Sequence, residues 1–190
     1  MGGGMPSWTS NLTARGTMPG PAGLALADIP ERVIAFIIDA IILGIAGFII
    51  STITTSILGD NLGGIFLNVR VPSLLSTIVA VALLAALSAG YFIYTWTRMG
   101  GATLGQKVMK LRVVDGASGA AITQSQAINR WLTIGLPLAL YQFYAWSIIG
   151  WLIWLASLGF LIYLLITTAQ SPTRQGFHDQ FAKTAVVKGA

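Results

Sequence analysis

The feature that most constrains the fold is an apolar run over residues 33–50, in which Asp39 is the only charged side chain. A helix rises about 1.5 Å per residue and a bilayer has a hydrocarbon core of about 30 Å, so a run of this length nearly spans a membrane. The run therefore predicts a membrane-spanning helix that carries a buried acid. An ionised aspartate at the bilayer centre costs about 2.5 to 3.5 kcal/mol on insertion scales, so we expect Asp39 to face protein or water.

The composition places the whole chain among integral membrane proteins. Of 190 residues, 55% are hydrophobic and 9% are charged, and the mean hydropathy is +0.76, whereas about a quarter of the residues of a soluble domain are charged. The chain has no cysteine and one histidine, which excludes disulfides, thiolate metal sites, cysteine nucleophiles and multi-histidine clusters. We expect no metal, no cofactor and no enzymatic activity.

The chain divides into a tail and one membrane domain. Residues 1–28 are rich in glycine, proline and polar residues and predict a flexible N-terminal tail, and the domain covers residues 29–188. Apolar runs predict spans at residues 29–58, 72–96, 131–146 and 149–169, with a cytoplasmic loop at 97–130 and a cytoplasmic C-terminal tail at 170–190.

The distribution of basic residues decides between four spans and three. Residues 131–169 carry no charge and are just long enough to cross twice. Five of the eleven basic residues lie in the loop 97–130, and three more follow residue 169, so both regions should be cytoplasmic. We therefore predict an all-α protein with four spans in the inner membrane and both termini in the cytoplasm. Three spans are the alternative.

Small residues recur at close spacing on the first two predicted spans. They are Ala40, Gly44 and Gly47 on the first, and Ala82, Ala86 and Gly90 on the second. Because small side chains let two helix backbones approach closely, both sets predict helix-packing surfaces.

The cytoplasmic segments predict a small β element beneath the helices. Residues 103–109 are typical of a short interfacial helix, and residues 111–114 are typical of a strand. Residues 121–123 are one candidate partner, which would make a hairpin, and residues 184–187 are a second, which would anchor the C-terminus.

Three separated segments share a pattern: residues 32–39, residues 101–107 with 111–115, and residues 176–179 with 184–187. Together they resemble the RDD family of small membrane proteins, named for one arginine and two aspartates. The resemblance covers about residues 30–188. It implies an all-helical membrane domain for which transport has been suggested, and cation/proton antiport for some members.

The resemblance also implies roles for individual residues. Arg32 corresponds to the arginine at the start of the first helix, and Asp39 to the aspartate within it. Asp179 is our preferred second aspartate, and Asp115 is the alternative. His178 and Arg112 lie beside them in the matched segments.

The charged candidates allow two interpretations. Asp39 could carry a proton or a cation, or it could be a structural acid that locks helix packing, which we favour because few polar side chains lie near it in sequence. Arg32 is seven residues away, about 10 Å along the axis, so each should find partners elsewhere. Arg32 could hold a lipid phosphate, snorkel or pair. We expect His178 and Asp179 to form a hydrogen-bonded structural pair.

Two functions are compatible with these features. The first is an accessory or scaffolding subunit that packs against other membrane protein subunits or a second copy. The alternative is an oligomeric transporter of a cation or small solute that uses Asp39. The basic loop 97–130 favours anionic lipid headgroups, and we expect no nucleic acid partner because a basic face interleaved with exposed aromatic residues is missing from the sequence.

Overall fold

The computed structural model describes residues 19–61, 69–145 and 147–189, so most of the predicted tail lies outside the described residues. The α-helices are α1 (Ile29–Leu58), α2 (Leu74–Arg98), α3 (Leu104–Val108), α4 (Gln124–Leu140), α5 (Ile148–Gln170) and α6 (Phe177–Ala182). The strands are β1 (Asp60–Asn61), β2 (Arg70–Val71), β3 (Leu111–Asp115) and β4 (Thr184–Lys188), and short 3₁₀ helices lie at Pro21–Gly23 and Tyr141–Ala145.

Three helices, α1, α2 and α5, are long and apolar enough to cross a membrane. They lie within two residues of the predicted spans 29–58, 72–96 and 149–169, so the predicted helices are confirmed. Local signals explain two of the starts. The Asp28 N–H donates to Glu31 Oε2 at 3.2 Å before α1, and the Ser76 N–H donates to Ser73 Oγ at 3.0 Å before α2.

The remaining predicted span, 131–146, is built differently from the prediction. Helix α4 begins at Gln124, because Thr123 caps it by accepting from the Gln126 N–H at 3.3 Å. The helix has 17 residues and is followed by the 3₁₀ helix of 5 residues. At about 1.5 and 2.0 Å per residue the two extend roughly 35 Å in all, of which about 25 Å follows Arg130.

Helix α2 lies at the centre of the bundle, since α1 and α4 both pack extensively against it. Its inner face buries Leu84, Phe92 and Trp96. Helix α5 packs against α4 and the 3₁₀ helix but makes little contact with α1. This arrangement leaves a gap between α1 and α5.

A small antiparallel sheet joins the segments around the bundle. Strands β3 and β4 pair from Leu111 opposite Lys188 to Asp115 opposite Thr184, which confirms the predicted alignment with residues 184–187. The expected hairpin with residues 121–123 is wrong, because these residues are not a strand and Thr123 instead caps α4.

The chain before α1 also joins this sheet. The Ala27 N–H donates to Val186 O at 3.0 Å, and the Lys188 N–H donates to Ala25 O at 2.8 Å. Leu26 and Ala27 are buried. The packed domain thus extends back into the last residues of the segment that we predicted to be a tail.

Candidate functional site

Asp39 is enclosed by hydrogen-bond donors from two other parts of the chain. Its Oδ1 accepts from the Tyr91 hydroxyl at 2.6 Å and from the Gly105 N–H at 2.9 Å. Its Oδ2 accepts from Thr103 Oγ1 at 2.6 Å. The residue is 3% exposed. Asp39 therefore faces protein, and its carboxylate fixes α2 and α3 against α1.

Helix α3 reaches Asp39 because it starts with a cap and a glycine. The Gln106 N–H donates to Thr103 Oγ1 at 3.2 Å, and the Thr103 N–H donates to Gln106 Oε1 at 3.0 Å. A Cβ on Gly105 would lie 2.1 Å from Ala35 O on α1. Only a glycine allows this approach of the two backbones.

A second buried acid, Asp179 on α6, is bound by two arginines. Arg32 Nη1 donates to Asp179 Oδ2 at 2.9 Å, and Arg130 Nη1 donates to Asp179 Oδ1. Asp179 is 0% exposed and Arg130 is 2% exposed. We call Arg32, Arg130 and Asp179 the arginine–aspartate cluster. It joins α1, α4 and α6.

Further bonds tie the cluster to β4 and α2. Arg130 Nη1 also donates to Thr184 Oγ1 at 2.6 Å, and Arg32 Nη2 donates to Val186 O at 3.1 Å. The Arg130 guanidinium lies over the Trp96 ring, 5.4 Å from its centroid. The cluster thus fastens the C-terminal strand to the helical bundle.

The two titratable groups of α6 respond oppositely to their surroundings. Burial alone would raise the pKa of Asp179, but the charges of Arg130 and Arg32 and the hydrogen bond from Arg130 outweigh it and hold that pKa well below its ordinary value. Burial lowers the pKa of His178 to about 4, and Arg130 and Arg32 act in the same direction against the attraction of Asp179. At neutral pH, Asp179 is ionised and His178 is neutral.

The pKa of His178 makes stability depend on pH. The folded value, about 4, lies below the ordinary value of 6.5. The stability that neutral His178 contributes is therefore present above pH 6.5 and is lost as pH falls toward 4. The loss is at most about 1.4 kcal/mol per pH unit. We expect the free energy of unfolding in detergent to fall by about 1.5 kcal/mol from pH 6.5 to 5.

His178→Gln is the matched control for this pH dependence, since glutamine does not titrate. Asp179 and Asp28, with pKa values below 3.8 in the folded chain, titrate at lower pH and do not contribute in this range. An equal pH slope in His178→Gln and the unsubstituted chain would contradict the assignment.

A cavity of about 360 Å³ lies between α1, α4 and α5. Its walls are mostly apolar, and they include Phe36 of α1, Ile134 of α4 and Leu161 of α5. Arg32 and Arg130 also line it, together with other polar residues, namely Asp39, Gln106, Thr168 and His178. The cavity thus combines an apolar interior with two cations of the cluster.

Comparison with known proteins identifies the family. A family model described as the RDD family matches residues 26–183, which is well over half of the chain. The chain belongs to the RDD family. No curated protein and no solved structure matches it. The resemblance carried by the three sequence segments is confirmed.

Within the RDD domain, the two candidates for the second aspartate lie in different places. Asp179 binds Arg32 directly. Asp115 instead closes the turn after β3, where it accepts from the Ser118 N–H at 2.8 Å and from Gln126 Nε2 at 2.7 Å. These bonds hold the pKa of Asp115 well below its ordinary value. Of the two, only Asp179 pairs with Arg32 among the described residues, and its assignment as the second aspartate of the family stays a prediction.

The other predicted site residues of the RDD domain are less closely engaged. His178 Nε2 lies 3.5 Å from Asp179 Oδ2, which is the expected neighbour, but the main bonds of Asp179 come from Arg32 and Arg130. Arg112 is half-buried on β3, and its Nε has no hydrogen-bond partner among the described residues.

Of the small residues predicted to form helix-packing surfaces, some are buried between helices and others are exposed. Gly47 is buried. A Cβ at this position would lie 2.4 Å from Gln142 Nε2, so the glycine is needed for this close packing. Ala40 is half-buried, whereas Gly44 is exposed. The small residues of α2 all face outward, and these are Ala82, Ala86 and Gly90. A Cβ at Gly44 or Gly90 would meet no described atom within 4 Å.

An outer set of ion pairs lies beside the cluster at the start of α1. Asp28 pairs with Arg174 and, at 2.7 Å, with Lys188, which also pairs with Glu31 at 3.0 Å. Hydrogen bonding to Asp28 and Glu31 raises the pKa of Lys188, and bonds from Lys188 and Arg174 lower that of Asp28 despite its partial burial. These pairs attach the C-terminal segment to α1.

Sequence reasoning missed Arg130, Tyr91 and Thr103 as site residues. The clearest available signal was Arg130, which directly precedes a long apolar run just as Arg32 does. Tyr91 and Thr103 gave no signal of their own, because they lie 52 and 64 positions from Asp39.

Proposed function

We propose that this RDD protein is a non-enzymatic accessory subunit that is held against a larger membrane protein by the outer face of α2. The observation that carries the proposal is the outward position of Ala82, Ala86 and Gly90, of which Gly90 lines a recess of about 490 Å³. Gly90, Tyr94, Thr97 and other residues line this recess. A small-residue face next to a recess with polar groups fits a neighbouring helix.

The proposed topology has four spans and both termini in the cytoplasm of the inner membrane. Residues 25–27, β3 and β4 are hydrogen-bonded together, so they must lie on one side of the membrane. The number of crossings between β3 and β4 is then even. If α5 crosses, α4 with its 3₁₀ extension must cross as well. The basic loop between α2 and α4 supports a cytoplasmic location for this side.

The surroundings of Asp39 support a structural role within this account. All three of its bonds come from the protein's own donors, and a carrier must exchange such partners for ions or water. Only 22%, 28% and 17% of the most apolar windows of α1, α2 and α5 are buried. Much of the helical surface is therefore available to a partner.

Two glycines provide a matched experiment. Gly90 lies in the recess and Gly159 lies on α5; both are exposed, and a Cβ at either would meet no described atom within 4 Å. We expect a complex purified in mild detergent without crosslinking to lose the protein when Gly90 is replaced by phenylalanine. Gly159→Phe should leave the complex intact.

Two results would contradict this proposal. One is equal retention of both variants in a complex of unchanged mass. The other is a purified chain that forms a dimer sensitive to Gly90→Phe, because the α2 face would then bind a second copy.

An oligomeric transporter of a cation or small solute is the second candidate function. One observation favours it: Asp39 and both arginines of the cluster line the cavity. Cation or proton flux into vesicles, compared between the unsubstituted chain and Asp39→Asn, tests this function. A flux that Asp39→Asn abolishes would support transport, and a flux that is unchanged would remove Asp39 as carrier.

A further inference from the structure

The cavity between α1, α4 and α5 opens sideways toward the bilayer. Residues on its wall are also exposed on the helix surface: Ile37 of α1 by 48%, and Leu158 and Ile162 of α5 by 41% and 49%. Helices α1 and α5 make little contact with each other. A lipid chain can therefore enter between them without unfolding the bundle.

One end of this cavity is polar and incompletely satisfied. Arg32, Arg130 and His178 all line it. Among the described residues, Arg32 Nε, Arg130 Nε and His178 Nδ1 are buried nitrogens with no hydrogen-bond partner. Buried polar groups in native proteins are nearly always paired. These three nitrogens have almost no accessible surface, so a ligand would pair with them only after a shift of the side chains that carry them.

The same end carries an excess positive charge. The cluster contains two arginines and one aspartate, and His178 is neutral near pH 7 because its pKa is lowered to about 4. The neighbouring acids Asp28 and Glu31 are matched by Lys188 and Arg174. One positive charge therefore remains without a counter-charge at this end, and the other acid of the lining, Asp39, lies about 10 Å further along α1.

We propose that this cavity binds one anionic phospholipid, with its phosphate at Arg32 and Arg130 and one acyl chain along the apolar wall between α1 and α5. The orientation agrees with the fold. Arg32 is in the first turn of α1, beside the sheet and the outer ion pairs, whereas Ile37 and Phe36 lie further into the membrane segment. The phosphate would lie near the membrane boundary and the chain within the hydrocarbon core.

The lining chemistry selects this ligand over simpler ones. A free inorganic anion would use the arginines but leave the apolar wall unused. A zwitterionic lipid would fill the wall without neutralising the excess charge. Basic pockets between membrane helices on the cytoplasmic side bind anionic headgroups, and cavities of 300 to roughly 1,000 Å³ are typical of ligand sites. The inference does not depend on the proposed accessory role.

The test uses the purified full chain in detergent and native mass spectrometry, with phosphatidylglycerol, phosphatidylcholine and inorganic phosphate as probes. We expect one phosphatidylglycerol to be retained, with an affinity at least about tenfold above that of phosphatidylcholine, because the choline cation cancels the charge of the phosphate that the two arginines would bind. Inorganic phosphate at millimolar concentration should not displace the lipid.

Substitutions on α5 test the position of the chain without disturbing the arginines. Ile162→Trp fills the wall of the cavity, and Leu155→Trp is its control because Leu155 is exposed by 52% on the same helix but does not line the cavity. Ile162→Trp should weaken phosphatidylglycerol binding at least about tenfold, which corresponds to lost burial of about two methylenes. Leu155→Trp should leave it unchanged.

Three results would overturn the proposal. Equal retention of the two lipids would show that the site does not select an anionic headgroup. Displacement of phosphatidylglycerol by inorganic phosphate would reduce the site to an anion site. Equal binding by Ile162→Trp and Leu155→Trp would show that the chain lies elsewhere.

Discussion

Replacing Asp179 by asparagine is expected to cost about 3 to 5 kcal/mol of unfolding free energy, because it leaves Arg32 and Arg130 buried without their counter-charge. The isosteric amide keeps the volume of the side chain, so the loss measures charge and not packing. Unfolding in mixed micelles with increasing denaturing detergent provides the measurement.

Asp60→Asn is the control for Asp179→Asn, since Asp60 is exposed in the described part of the chain. We expect its unfolding free energy to stay within about 0.5 kcal/mol of the unsubstituted value. If Asp179→Asn were equally mild, the arginine–aspartate cluster would not hold the C-terminal strand to the bundle.

Replacing Asp39 by alanine is expected to have the next largest effect. Tyr91 Oη, Thr103 Oγ1 and the Gly105 N–H would each lose an acceptor inside the bundle. Each buried donor left unpaired costs about 1 to 3 kcal/mol, so the total loss should be about 3 kcal/mol or more. The same detergent unfolding experiment measures it.

Asp39→Asn separates the hydrogen bonds of Asp39 from its charge. The asparagine carbonyl can still accept from Tyr91 and Gly105, and the Thr103 hydroxyl can turn to accept from the amide. We therefore expect Asp39→Asn to be clearly milder than Asp39→Ala. Equal losses in the two variants would mean that the negative charge, and not the closed set of donors, stabilises the bundle.

The sequence predicted the membrane helices well because their signals are local. A run with Asp39 as its one charge identified α1, and the residues directly before α1 and α2, Asp28 and Ser73, are of types that favour helix starts. The early start of α4 also had a local signal, the capping pair Thr123 and Gln126. Because Arg130 is the last charged residue before the apolar run, the predicted span started after it, at residue 131.

The contacts of the site could not be predicted, because they join distant parts of the chain. Asp179 is 147 positions from Arg32, and a lone His178 next to it suggested a local pair where the structure has an ion cluster. The sheet illustrates the same limit: residues 121–123 are the near partner in sequence, yet β3 pairs with the distant β4. These contacts form when long loops close, and the spacing of apolar residues along the sequence does not indicate which distant segments meet.

The two buried acids explain how so few polar residues organise the domain. Asp39 fixes the α2 and α3 segments on α1, and Asp179 fixes α4 and the C-terminal strand on the same helix. Both thereby hold the sheet beside the first turns of α1. The central claim is that this sheet lies on one side of a membrane that the chain crosses four times.

Cysteine labelling tests that claim most directly, since the chain has no cysteine of its own. Single variants Ala117→Cys and Thr173→Cys report the side of the sheet, and Asn61→Cys and Ile148→Cys report the far ends of α1 and α5; all four positions are exposed. With a membrane-impermeant maleimide on spheroplasts, we predict labelling of Asn61→Cys and Ile148→Cys, and labelling of the other two only after permeabilisation. Labelling of Ile148→Cys from the same side as Thr173→Cys would contradict the four-span account.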